Sequence, residues 1–168
     1  MPSTEIPRAR QLMTTHVHAV APEMPLAEVV AFLLKHEISN APVIETGAGG
    51  QRHLLGFLSE SDCLQALSNE MFFGNPAQPR TAAAIMKRHP VCVSPDTDVF
   101  ALASMFASHG FRHLPVVEGE QFVGIVSRRD ILAALDACYR DNLREGEDRR
   151  QLSEPPALTN YRFVARSV

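Results

Sequence analysis

The sequence GFLSESD, from Gly56 to Asp62, returns 68 positions later as GIVSRRD, from Gly124 to Asp130. Both stretches place two hydrophobic residues between a glycine and a serine, and an aspartate follows three residues after the serine. The matching extends upstream at a shift of 73, where APVI at 41–44 corresponds to LPVV at 114–117 and the Val-x-Pro segment at 20–22 returns at 93–95. A repeat this long in a chain of 168 residues indicates two copies of one supersecondary unit.

Each copy predicts the order β-α-β-β-α, so we expect an α+β protein. A short strand at 18–20 or 91–93 precedes a proline, and the helix after it carries hydrophobic residues at helical spacing, at 26–34 and 99–106. Two hydrophobic, β-branched runs joined by a turn follow, and then a closing helix. One copy alone cannot bury both of its helices, so the two pseudo-symmetric copies should pack against each other.

The composition is that of an ordinary globular chain. Hydrophobic residues make up 45%, charged residues 21%, and the net charge is −3, so no strongly basic surface points to nucleic acid or an anionic membrane. No stretch approaches the roughly 20 apolar residues of a membrane span, and the N-terminus lacks the apolar run of a secretory signal. Cys63, Cys92 and Cys138 form no Cys-x-x-Cys pair. We therefore expect a cytoplasmic protein without a disulfide framework or a zinc knuckle.

These motifs resemble the CBS domain, the regulatory repeat named after cystathionine β-synthase that occurs in tandem as a Bateman module. Beside the two Gly-x-x-Ser-x-x-Asp endings, the resemblance rests on Ile85-Met86, the Val-x-Pro segments and the Pro-Val of both central strands. It implies two repeats packed through their sheets, with two clefts that bind adenosine-containing ligands and catalyse no reaction. The predicted organisation is an N-terminal arm at 1–12, repeat one at 13–67, a linker and entry to repeat two at 68–84, repeat two at 85–136, and a charged C-terminal helix and tail at 137–168.

Asp62 and Asp130 are the strongest candidates for ligand contact. One ionised carboxylate can accept hydrogen bonds from both hydroxyls of a ribose. Ser59 and Ser127 precede the closing helices, where a hydroxyl and free backbone N–H groups can meet a phosphate or ribose oxygen. The alternative is that Ser-x-x-Asp is only a capping box variant that stabilises the helix it begins. Because the pattern is present in both copies, we expect all four side chains to contact a nucleotide.

A second group of candidates lies before the central strands and at the entry to each repeat. Arg112 offers a planar fork for phosphate, His113 adds charge when protonated, and Lys87 lies in a segment that the resemblance places beside the other copy's ligand. The alternatives to ligand binding are that Arg112 and Lys87 are solvated charges and that His113 is a buried neutral imidazole. In copy one, the positions of Arg112, His113 and Lys87 are occupied by Ser39, Asn40 and Thr14, which are candidates as well. The remaining candidates are Arg128 and two residues that could flank an adenine, Ile38 and Phe111. Because copy two carries the cations while copy one carries Glu60, we expect two unequal clefts.

The sequence therefore predicts a stand-alone nucleotide sensor and not an enzyme. AMP, ADP or ATP is the expected ligand, with S-adenosylmethionine, an NAD-type cofactor or a cyclic dinucleotide also compatible, and no metal is required. The expected partners are a second copy of the chain in a homodimer and an effector enzyme, channel or transporter in trans. The alternative is a structural dimerisation module with vestigial ligand sites. No Ser-His-Asp order, glycine-rich dinucleotide loop, P-loop lysine or zinc pattern points to catalysis.

Overall fold

The computed structural model describes residues 6–74 and 79–152, with side-chain burial described as far as residue 143. Residues 75–78 of the predicted linker and the predicted tail from residue 153 lie outside these ranges. The elements, in chain order, are α1 (Ala9–Leu12), α2 (Leu26–His36), β1 (Asn40–Thr46), β2 (Arg52–Ser59), α3 (Glu60–Phe73), α4 (Ala82–Ile85), β3 (Lys87–Arg88), α5 (Val99–His109), β4 (His113–Glu118), β5 (Gln121–Ser127) and α6 (Arg128–Leu152).

The predicted α+β class is confirmed, and helices lie over both predicted amphipathic segments. α5 begins after Asp98, whose carboxylate accepts hydrogen bonds from the first free N–H groups of the helix, and it ends at Gly110, which takes the left-handed φ of 65°. The two helices bury the same face of the predicted pattern, namely Leu26, Val29 and Leu33 in α2 and Val99, Leu102 and Phe106 in α5.

One antiparallel hairpin forms the centre of each repeat: β1 with β2 in repeat one and β4 with β5 in repeat two. β3 adds a third strand beside β2. Their register places Asn40 opposite Ser59 in repeat one and His113 opposite Ser127 in repeat two. Each hairpin therefore returns the chain so that the residue opening the first strand lies beside the serine that precedes the closing helix.

The strand predicted at the start of each copy is reduced to a single parallel bridge. Val20 bridges Val43, and Val93 bridges Val116. Val20 donates to the carbonyl of Pro42 at 3.0 Å and accepts from Ile44 at 3.0 Å, which uses both of its backbone groups. A proline two residues later in each copy has no N–H group to donate, so neither ladder continues.

A short segment before each repeat packs against the other repeat. The family resemblance implied this for the segment that carries Lys87, but the sequence analysis did not predict it for the segment before repeat one. We call residues 7–14 and 80–88 the exchange segments. In the first, the N–H group of Ala9 donates to the carbonyl of Thr97 at 2.8 Å, and in the second the N–H group of Ala82 donates to the carbonyl of Met24 at 2.8 Å. The two repeats are thus joined by reciprocal backbone hydrogen bonds.

The glycine of each Gly-x-x-Ser-x-x-Asp motif lies where an exchange segment crosses the sheet. A Cβ atom on Gly56 would stand 2.6 Å from the carbonyl oxygen of Lys87, and one on Gly124 would stand 2.8 Å from the carbonyl oxygen of Thr14. Neither approach is possible between packed atoms, so only glycine lets the crossing backbone come this close.

A hydrophobic cluster joins the two repeats. Its buried members come from both hairpins, so neither repeat completes this core alone. They are Ile44, Phe122 and Ile125, with Val17, Ala19, Leu54 and Phe57 packed against them. A second cluster fills repeat one and includes residues of α4 and Met86 from the second exchange segment.

Residues 135–152 continue α6 as a separate unit. Asp136 and Arg140 form an ion pair of 2.7 Å on it, and Tyr139 and Leu143 are exposed. Across residues 6–74 and 79–152, no helix is long and apolar enough to cross a membrane. All three cysteines carry free thiols.

Candidate functional site

The serine and aspartate of each repeated motif bond to each other at the start of α3 and α6. The Oδ2 atom of Asp62 accepts from the backbone N–H and the hydroxyl of Ser59 at 2.8 and 2.6 Å, and Oδ2 of Asp130 accepts from the same groups of Ser127 at 2.9 and 2.6 Å. Each serine hydroxyl in turn accepts the N–H of its aspartate. The capping box is therefore complete in both copies, and each carboxylate keeps its second oxygen outside the box.

Asp130 and Ser127 line the larger cleft, a cavity of about 430 Å³. This volume falls within the range of small-molecule pockets. Repeat one contributes the segment after α2 to its wall, and the first exchange segment contributes Thr14. The full lining is Thr14, His16, Val17, His18, Glu37, Ile38, Ser39, Asn40, His113, Ile125, Ser127 and Asp130. We call it the Asp130 cleft.

Asp62 and Ser59 line a smaller cleft of about 150 Å³, which we call the Asp62 cleft. Lys87 of the second exchange segment enters it and places its Nζ atom 3.5 Å from Oδ1 of Asp62; the lysine side chain is 76% exposed and the carboxylate 12%. Lys87 thus stands over the oxygen that the capping box leaves free. The full lining is Asn40, Phe57, Leu58, Ser59, Asp62, Lys87, Arg112 and His113.

Asn40 and His113 border both clefts and bond to each other between them. The Asn40 amide nitrogen lies 3.0 Å from Nδ1 of His113, and because an amide nitrogen only donates, the ring nitrogen accepts. Burial lowers the pKa of His113 below its usual value; the Asp130 carboxylate opposes this shift, and the Arg112 guanidinium adds to it. The lowered pKa favours the neutral ring that this hydrogen bond requires.

Nearly all of the predicted ligand residues line one of the two clefts. The exceptions are Phe111, whose ring stacks on His109 at 5.4 Å, and Arg128, which is exposed and lines neither cleft. Lys87 and Arg112, the two cations predicted to bind phosphate, both line the Asp62 cleft.

The sequence analysis missed three polar residues of the Asp130 cleft: His16, His18 and Glu37. Glu37 follows α2 with a left-handed φ of 52°, a conformation that a glycine would have signalled and a glutamate does not. His18 stacks on His36 with ring centroids 4.0 Å apart. Burial, His18 and Lys35 lower the pKa of His36.

Over the described part of the chain, no group of three or more histidine, cysteine or carboxylate side chains is close enough to hold a metal ion.

Comparison with known proteins gives matches to both repeats. The family model for the CBS domain matches residues 9–69 and 82–137. A curated relative, the uncharacterized 17.7 kDa protein in bps2 3'region of Acidianus ambivalens, is 30% identical over 129 residues, which cover 76% of this chain and 73% of the relative.

Two solved structures share the fold. The structure of CBSX2 in complex with AMP has a TM-score of 0.64 at 23% identity, over 79% of this chain and 98% of that chain. The CBS domain pair of protein MJ0100, in complex with 5′-methylthioadenosine and S-adenosyl-L-methionine, has a TM-score of 0.62 at 22% identity, over 79% and 98%. Because both identities are below 25%, these two likenesses show a shared fold.

Proposed function

The chain belongs to the CBS domain family, and we propose that it is a non-catalytic, cytoplasmic regulatory module that binds an adenosine-containing ligand between its two repeats. Occupancy of the clefts is then passed to a partner protein, which is an enzyme, a channel or a transporter. The observation that carries this proposal is the Asp130 cleft, where a cavity of about 430 Å³ contains a carboxylate fixed by Ser127.

The capping box prepares Asp130 for a ribose. Its Oδ2 atom is held by two hydrogen bonds from Ser127, so the carboxylate cannot rotate freely and little further order is lost on binding. Oδ1 remains as an acceptor for the paired hydroxyls, in charge-assisted hydrogen bonds. Ile38, half-buried in the same wall, offers an apolar contact for the adenine.

The neighbours' ligands fit this chemistry. AMP in one structure and S-adenosyl-L-methionine with 5′-methylthioadenosine in the other share an adenosine and differ in the charge attached to it. We therefore propose an adenosine compound such as AMP, ADP, ATP or S-adenosylmethionine as the ligand.

Asp130→Asn tests the ribose contact directly. The asparagine keeps an oxygen that accepts the two capping bonds from Ser127, but it turns the second oxygen into an N–H donor that no longer accepts from a hydroxyl. We expect adenosine binding at the Asp130 cleft to weaken by about 1.5–3 kcal/mol, the range for hydrogen bonds to a charged group. Calorimetric titration with adenosine measures the loss.

Asp98→Asn is the matched control, because the Asp98 carboxylate also caps a helix, α5, but lines neither cleft. It should leave adenosine affinity unchanged. Unchanged affinity in Asp130→Asn would contradict the ribose assignment. Equal losses of stability and affinity in Asp130→Asn would assign the carboxylate to capping alone.

We also propose that two copies of the chain associate. Several apolar side chains on the closing helices are exposed to solvent, among them Leu64 at 64%, Met71 at 87% and Leu132 at 68%, and Leu64 and Leu132 occupy equivalent repeat positions. A two-fold dimer would bury both positions at once. Light scattering should give twice the monomer mass of 18.5 kDa, and Leu64→Glu with Leu132→Glu should return it to the monomer value.

The alternative is a structural dimerisation module, favoured by the completed capping boxes, since these already give Ser59, Asp62, Ser127 and Asp130 a role in folding. A ligand that binds only the native state raises the melting temperature, and the rise grows as the ligand concentration exceeds its dissociation constant. AMP, ATP and S-adenosylmethionine that leave the melting temperature unchanged at millimolar concentration would favour this alternative over the sensor.

A further inference from the structure

The two clefts surround identical carboxylates with opposite charges. The Asp62 cleft contains Lys87 and Arg112 beside its one carboxylate, whereas the Asp130 cleft contains Glu37 and Asp130 and, among its lining residues, no lysine or arginine. With neutral histidines, the linings differ by three charges, one net positive and the other carrying two negative charges.

We propose that the two clefts select different classes of adenosine ligand. The Asp62 cleft takes phosphorylated adenosine compounds, with Lys87 as the residue that discriminates against uncharged ones. The Asp130 cleft takes adenosine compounds whose substituent is uncharged or positively charged. This inference rests on the proposed function and adds the ligand class of each cleft.

Lys87 is the first part of the selection. Its Nζ atom lies 3.5 Å from Oδ1 of Asp62, the one oxygen of that carboxylate that Ser59 does not occupy. A ribose that bonds to this oxygen must displace the ammonium group. Since the lysine side chain is largely exposed, its ion pair is weak and exchangeable, and a ligand phosphate gives the displaced cation a new partner while plain adenosine does not.

Space is the second part. The Asp62 cleft offers about 150 Å³ with Lys87 in place, against about 430 Å³ in the Asp130 cleft. A nucleoside therefore enters the Asp130 cleft as it stands, while entry to the Asp62 cleft requires the lysine to move. Arg112 lies in the lining of the Asp62 cleft, where its guanidinium fork suits the same phosphate.

The repeat itself explains why the two carboxylates differ in accessibility. Thr14 occupies the position in the first exchange segment that Lys87 occupies in the second; each pairs with the strand that leads to an aspartate. No ion pair to Asp130 is formed among the described residues. Glu37, which ends α2 and lines the Asp130 cleft, would repel a phosphate there.

The test isolates each cleft and then exchanges its selecting residue. The Asp130→Asn variant weakens the Asp130 cleft, so its titration measures binding at the Asp62 cleft. The Asp62→Asn variant measures binding at the Asp130 cleft in the same way. Both are titrated calorimetrically with adenosine and with AMP at low ionic strength. We expect the Asp62 cleft to bind AMP at least about tenfold more tightly than adenosine, and the Asp130 cleft to bind adenosine more tightly than AMP.

Lys87→Thr in the Asp130→Asn protein gives the Asp62 cleft the residue of its counterpart, and the AMP-to-adenosine affinity ratio should fall by about tenfold. Thr14→Lys in the Asp62→Asn protein should raise the ratio at the other cleft. Lys35→Thr is the control for net charge, because Lys35 is exposed and lines neither cleft. The AMP-to-adenosine affinity ratio should not change in this variant.

An affinity ratio that is the same in both clefts, or one that Lys87→Thr leaves unchanged, would overturn the selection while leaving adenosine binding in place. Absence of binding by either ligand to the unsubstituted protein would overturn the proposed function as well. Melting curves check that each variant is folded before titration.

Discussion

Repeat one and repeat two begin their closing helices with the same bonds. Asp62 accepts from Ser59 at 2.8 and 2.6 Å, and Asp130 accepts from Ser127 at 2.9 and 2.6 Å. The surroundings differ: a lysine pairs with the first carboxylate, while the second lies in an open cavity beside a threonine of the first exchange segment.

The comparison separates the residues that folding requires in both repeats from the residues that can differ between them. A glycine must stand where each exchange segment crosses the sheet, and a serine with an aspartate must satisfy the free N–H groups of each closing helix. These residues are the same in both copies. Lys87 and Arg112 are exposed, and their counterparts Thr14 and Ser39 are uncharged, so the fold tolerates different charges there and the clefts can differ.

The largest expected change in the free energy of unfolding comes from a variant that tests whether the two repeats fold as one unit. Leu102→Ala removes a fully buried side chain from α5 of repeat two and should lower the free energy of unfolding by about 2–5 kcal/mol. Because the exchange segments and the shared cluster join the repeats, urea unfolding followed by circular dichroism should keep a single transition. Separate transitions for the two repeats would show that they fold independently.

The next effect tests the crossing points. Gly56→Ala and Gly124→Ala should each cost about 1–3 kcal/mol, because the new Cβ atom meets a backbone carbonyl that cannot rotate away. Gly56→Ala should cost more, since its approach to the carbonyl oxygen is 2.6 Å against 2.8 Å. Chemical denaturation measures both losses.

Gly50→Ala is the comparison variant for these two. It also strains the backbone, at a φ of 78°, but its new Cβ atom meets nothing within 4 Å. It should leave amide exchange of Thr14 unchanged, whereas Gly124→Ala should accelerate it, since the Thr14 N–H group bonds to Ile125 at the crossing. Equal exchange rates in both variants would argue against a required close approach.

A smaller effect tests the equality of the two capping boxes. Ser59→Ala and Ser127→Ala should each lower the free energy of unfolding by about 1 kcal/mol, because the bonds that they remove have nearly the same lengths. Asp98→Ala, which removes the cap of α5 outside both clefts, should cost a similar amount. A loss confined to one repeat would show that the matched distances do not reflect matched energies.

The smallest effect concerns pH. Burial lowers the pKa of His113 in the folded protein, so the unfolded chain binds the proton more tightly, near the ordinary pKa of about 6.5. Stability from this residue is therefore present above that pH and is lost as the pH falls toward the lowered folded pKa. His36, whose pKa is also lowered, contributes with the same sign.

His113→Asn gives repeat two the residue that repeat one has at this position. The decline of unfolding free energy below about pH 6.5 should become shallower in this variant, as measured by denaturation at a series of pH values. An unchanged slope would mean that the His113 proton is not linked to folding.

Much of the candidate site could be predicted from sequence because its signals are local. Ser59 and Asp62 are three residues apart at a strand-to-helix junction, a spacing that defines their hydrogen bonds without reference to the rest of the chain. Arg112 and His113 were found through the family resemblance, which places their segment at the centre of the cleft. His16, His18 and Glu37 were not, since nothing near them in sequence indicates that repeat two supplies the opposite wall of their cleft.

The sequence by itself determined the duplicated unit, its helices and hairpins, and the four capping residues, because hydrophobic periodicity and caps act over a few neighbouring positions. The family resemblance implied that the segment carrying Lys87 reaches the other repeat, but only the tertiary structure decided that the first exchange segment does the same, that Lys87 meets Asp62 and that Thr14 lines the cleft of Asp130. Pairings over such distances depend on packing of the whole core, which no local pattern encodes.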